Sequence, residues 1–83
     1  NPFNPTVTLT YDLAAMSDLY VSIYNLAGEQ VWNHAKGSHP AGQNYTLTWN
    51  GNDLTNSPLP SGIYLVNIQA GTQIKSEKVT LLR

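Results

Sequence analysis

The chain has 83 residues, 41% of them hydrophobic and 11% charged, with no cysteine and a formal net charge of -1. This fits one small domain with enough apolar residues for a core, and it excludes a disordered chain, which combines low hydrophobicity with high net charge. Without a basic stripe, nucleic-acid binding is disfavoured; without cysteine, disulfides, thiolate metal sites and cysteine nucleophiles are absent.

The chain begins Asn1-Pro2-Phe3-Asn4-Pro5. Each proline fixes its own φ and pushes the preceding residue toward extended backbone. Residues 1–5 therefore read as a stiff lead-in, with Phe3 docking on the edge of the fold, in a module joined to something upstream. Val7, Leu9, Tyr11 and Leu13 then alternate with Thr6, Thr8, Thr10 and Asp12, the period of a strand with one buried face. Leu19, Val21 and Ile23 repeat the pattern against Tyr20, Ser22 and Tyr24, and Gly28 supplies a turn. Residues 30–36 read as a third strand, with Val31 facing the core and Trp32 the other side. Gly37, Pro40 and Gly42 mark residues 37–44 as a loop. Tyr45, Leu47 and Trp49 share one face of a fourth strand. Residues 50–62 form a long polar loop, Tyr64, Val66 and Ile68 share one face of a fifth strand, and a sixth strand follows the turn at 71–73.

No segment has a helical period, and Thr, Val, Tyr and Ile are common, as strands prefer. The expected fold is all-β: an immunoglobulin-like sandwich of six or seven antiparallel strands spanning residues 1–83, with a small barrel as the alternative.

Four constellations bear on function. His34 and His39 have few carboxylates near them in sequence, Glu29 being the closest, and read as solvated residues at loop or strand ends, so no metal site is assigned to them. Asn50, Asn52, Asp53 and Asn56 gather oxygens that could attract calcium, but with a single carboxylate and an Asn-Gly pair the plain reading is turn chemistry. Tyr20, Tyr24 and Trp32 could share an outward face and stack on sugar rings, or pack against the lead-in or a neighbouring domain. The carboxylates Asp12, Asp18, Glu29, Asp53 and Glu77 are scattered, and no elbow frames a serine, so no catalytic residue and no cofactor are assigned.

Several segments together resemble one family. "NPFNPTVTLTYDL", "VSIYNLAGEQVW", "LTWNGNDLTNSPLPSGIYLVNI" and "EKVTLLR" are similar, in order and spacing, to the C-terminal sorting domains of type IX secretion, also known as FlgD-type immunoglobulin-like domains after the flagellar hook-capping protein. The resemblance implies a β-sandwich tail on a larger secreted protein, of a kind common in the Bacteroidetes. An outer-membrane secretion machine would read the tail, and the parent would carry an upstream catalytic or adhesive domain and end secreted or on the cell surface. The matching positions give Pro60, Gly62, Tyr64, Lys78, Val79, Leu81, Leu82 and Arg83 as recognition candidates. Deleting the residues from Val79 onward is expected to abolish export and leave a soluble fragment. The reading from a different class is a carbohydrate- or protein-binding accessory domain of a secreted glycoside hydrolase or protease, with a glycan partner at Tyr20, Tyr24 and Trp32. A flagellar hook-cap scaffold is a third.

Overall fold

The computed structural model describes residues 6–83; the lead-in, with Pro2, Phe3 and Pro5, lies outside them. The strands are β1 (Val7–Leu13), β2 (Ser17–Tyr24), β3 (Gln30–His39), β4 (Gly42–Trp49), β5 (Gly62–Ala70) and β6 (Gln73–Leu81). All pairings are antiparallel. They form two sheets, β1-β4 and β3-β2-β5-β6. The fold is thus the immunoglobulin-like sandwich, with six strands and no helix among the described residues, and the closed barrel is set aside.

Alternation decides which faces meet. Leu9, Tyr11 and Leu13 of β1 face inward with Leu47 and Trp49 of β4. Leu19, Val21 and Ile23 of β2 face inward with Tyr64, Val66 and Ile68 of β5, and Val79 and Leu81 of β6 complete the core. Burying each of the larger aliphatic side chains contributes about 1.5–3 kcal/mol. The Thr residues of β1 and β4 pair across the exposed side of the small sheet, Thr8 opposite Thr48 and Thr10 opposite Thr46, where a β-branched hydroxyl suits a pleated surface facing water.

Residues 37–39 and 42–44, expected in a loop, are strand. Pro40 and Ala41 alone separate β3 from β4, and this corner carries the chain from one sheet to the other. Gly37 disguised the strand. It adopts φ +71° beside a bulge, where Leu19 pairs with Gly37 but Tyr20 pairs with Ala35, so Lys36 is the extra residue. The corner is held by side chains. The His39 Nδ1–H donates to the Pro40 carbonyl at 3.2 Å, which leaves Nε2 to accept from the Tyr11 hydroxyl at 3.3 Å. Tyr45 donates to the same Pro40 carbonyl at 3.0 Å. His39 ends a strand, as one of the expected placements had it, but it is a part-buried brace and not solvated, whereas His34 is exposed and stacks on Trp32 with centroids 6.0 Å apart. Burial, and then the neighbouring Tyr45 phenol, push the Tyr11 phenol above its usual pKa.

A second bulge corrects the placement of Trp32. Tyr24 pairs with Gln30 and Ile23 with Trp32, so Val31 is the extra residue. Directly opposed residues share a face, and Ile23 faces the core. Trp32 therefore lies on the core side of the sheet, and both Val31 and Trp32 pack against the core.

Candidate functional site

The segment Trp49 to Gly62 and the end of β6 form one knot. Trp49 closes β4 with its ring buried, and its indole N–H donates to the Asn52 carbonyl at 3.0 Å. The Tyr64 ring meets the Trp49 ring edge-on, with centroids 5.5 Å apart. The Tyr64 hydroxyl donates to the Pro60 carbonyl at 2.7 Å. Tyr64 is thereby fixed at both ends, by aromatic packing and by a hydrogen bond that satisfies its part-buried hydroxyl.

Arg83 closes the knot. Its backbone N–H donates to the Ser61 hydroxyl at 2.9 Å. Its guanidinium donates through Nε to the Leu59 carbonyl, and through Nη2 to the Gly51 carbonyl at 2.6 Å and the Asn52 amide oxygen at 3.4 Å. The planar fork suits such a set of separated acceptors. The Gly51 carbonyl also accepts from the Leu59 N–H at 3.0 Å, so the two sides of the loop are joined directly and through Arg83. Gly51 is buried at φ +78°, and a Cβ there would sit 2.7 Å from Leu81 Cδ1 and 2.9 Å from Arg83 Nη2. Only glycine combines that backbone with that proximity.

Of the recognition candidates, Pro60, Gly62, Tyr64, Val79, Leu81 and Arg83 meet here. Gly62 pairs with Leu81 and Tyr64 with Val79. Val79 and Leu81 are core residues, so a chain cut before Val79 loses part of its core, and a destabilised fragment replaces the soluble one as the expected product. Lys78 pairs with Leu65 on the outward side, and Leu82 is 67% exposed. Arg83 was legible only as a terminal cation; its anchoring role joins residues 24 and more positions apart, and no local pattern carries that.

The oxygens considered for calcium are otherwise engaged. Asn50 Oδ1 accepts from the Asn52 N–H, and Asn52 Nδ2 donates to Asn56 Oδ1 at 2.9 Å. Asp53 Oδ1 accepts from the Thr55 hydroxyl at 2.7 Å and from the N–H groups of Thr55 and Ser57. These are caps within a turn, and the Arg83 cation lies against Asn52, so the oxygens of the cluster serve the loop itself. The Thr55 hydroxyl, then the Ser57 N–H, hold the Asp53 carboxyl below its usual range. Glu29 and Asp53 border one shallow groove. Both carboxylates hold their own turns: Asp53 Oδ1 accepts from Thr55 and Ser57, and Glu29 Oε1 accepts from Asn25 Nδ2 at 2.9 Å.

The proposed aromatic trio separates. Tyr20 and Tyr24 lie on the outward side of β2, and Trp32 lies on the core side.

A family model described as the FlgD Ig-like domain matches residues 4–73. This chain belongs to the FlgD Ig-like domain family. Among solved structures, the FlgD Ig-like chain is similar to FlgD from P. aeruginosa, with a TM-score of 0.71 at 23% identity over 92% of this chain and 59% of that one. That likeness carries the fold. The chain spans 59% of the length of that relative. No curated protein matches it. The family match reaches the first residue of β6, Gln73, so Arg83 lies beyond the matched residues of this FlgD Ig-like domain.

Proposed function

We propose that this chain is a non-catalytic sorting and attachment module at the C-terminus of a larger secreted bacterial protein, read by an outer-membrane secretion machine. The observation that carries the reading is the knot: the motifs "WNGND" and "PSGIY" and the segment from Lys78 to Arg83, far apart in sequence, are built into one feature. Arg83 is spent inside it as an anchor. What a receptor would meet is the outward side of the β6 end, where Lys78 and the 67%-exposed Leu82 stand on the last strand of the four-stranded sheet. An edge strand with an exposed apolar side chain and a cation offers a partner backbone pairing, an apolar contact and a charge together.

The test is a reporter fused ahead of residues 1–83 and expressed where a type IX machine operates. Lys78→Glu combined with Leu82→Asp is expected to cut export severalfold while the melting temperature of the isolated chain stays within about 3 °C, since both side chains point to water. Export at the unaltered level would remove this pair as the recognised surface.

A further inference from the structure

We propose that the outward face of the four-stranded sheet is a platform for an extended, uncharged polysaccharide chain, with the rings of Tyr20 and Tyr24 as its stacking surface. Four residues along a strand span about 13 Å, yet Gln30 Nε2 lies 3.5 Å from the Tyr20 hydroxyl and 3.3 Å from the Tyr24 hydroxyl. The two rings therefore lean toward each other across Ser22. Ser22 shows the result: it points outward between them and is only 4% exposed. The rings are laid along the sheet and held there, because Gln30 Oε1 in turn accepts from Asn33 at 2.8 Å.

The chemistry around the rings selects the ligand. By register, the outward rows run Ala35, Tyr20, Gln69, then Asn33, Ser22, Asn67, then Gln30, Tyr24, Leu65, Lys78, so beside the rings the side chains are uncharged and Lys78 stands on the edge strand. Asn67 Oδ1 accepts from Ser76 at 2.7 Å, which orients its Nδ2 hydrogens for a further acceptor. Flat phenolic rings bordered by amide groups suit a sugar, whose C–H face stacks on the ring while its hydroxyls bond to the amides. A small free sugar would need a concave pocket to bury most of its surface. A flat face contacts enough of a ligand only when that ligand is a long chain lying across it, and a face whose one cation, Lys78, and one anion, Asp18, lie at its margins and offset each other favours a neutral one.

This reading needs no secretion machine, so it stands or falls apart from the sorting role. The test is native electrophoresis of the 83-residue chain through gels containing hydroxyethylcellulose, galactomannan or starch, with polygalacturonate as a charged comparison. Retardation is expected in at least one neutral gel. Tyr20→Thr with Tyr24→Thr should weaken it about tenfold or more, while Trp32→Ala, on the other side of the sheet, should leave it in place. Amide shifts of the unaltered chain on adding the retarding polymer should centre on residues 20–24, 30, 33 and 67. This mapping does not depend on the folding of any variant. Free migration in all three neutral gels, retardation by polygalacturonate alone, retardation that survives the double variant, or shifts centred elsewhere would each overturn the proposal.

Discussion

Arg83 carries more of the structure than its exposure suggests. Its guanidinium reaches the carbonyls of Leu59 and Gly51, and the latter contact is part-buried at 2.6 Å. Hydrogen bonds from a charged donor contribute about 1.5–3 kcal/mol each, less where water competes. Arg83→Ala is therefore expected to destabilise the fold by about 1–3 kcal/mol, read as the shift in urea midpoint at constant m-value. Arg83→Lys should recover little, because one ammonium cannot reproduce the planar fork. An unshifted midpoint in Arg83→Ala would mean that the loop holds its shape without the clasp. Asp53 gives the loop a pH dependence of known sign. Its carboxyl is held below the usual carboxylate range by Thr55 and Ser57. A depressed folded pKa contributes stability that is present above the unfolded value and lost as pH falls through the folded one. Stability should thus decline as the solution is acidified below about pH 4, and in Asp53→Asn the decline should be shallower. Equal slopes of urea midpoint against pH in the two proteins would contradict the capping role.

At the scale of the element, the strands were legible where alternation was unbroken. Val7 to Leu13, Leu19 to Ile23 and Tyr64 to Ile68 announce their buried faces, because a pleated strand sends successive side chains to opposite sides. What broke the reading was the bulge. One extra residue at Val31 moves Trp32 to the face of Ile23, and one at Lys36 lets Gly37 sit inside a strand that its composition marks as loop. A bulge changes face without changing residue type, so counting alternation through it gives the wrong side. The division into a two-stranded and a four-stranded sheet was equally hidden, since it depends on pairings between distant segments. The loop read as 50–62 gives up only Gly62 to β5 and carries the expected turn chemistry, yet its partner, the end of β6, was not visible from either segment alone. The same element supplies a prediction. Because Val79 and Leu81 are buried and pair with Tyr64 and Gly62, deleting residues 79–83 should abolish the cooperative thermal transition, followed by circular dichroism. A truncated chain that still melts cooperatively near the original temperature would show that β6 is dispensable to the core.

For the whole molecule, the family assignment and the sandwich agree with each other. A 2+4 arrangement of strands encloses a single continuous core, and the knot fastens the last strand to the loop that follows the small sheet. In the proposed sorting role export would depend on folding, because a chain that fails to seat Arg83 presents neither the loop nor the outward pair at Lys78 and Leu82 in the same way. The measurement that bears most directly on the proposed role is the destination of a fluorescent reporter carrying residues 1–83 at its C-terminus, in a bacterium with the type IX machine and in a strain lacking it. The sorting role predicts reporter on the surface or in the medium only when the machine is present. Reporter held in the periplasm of both strains would contradict it.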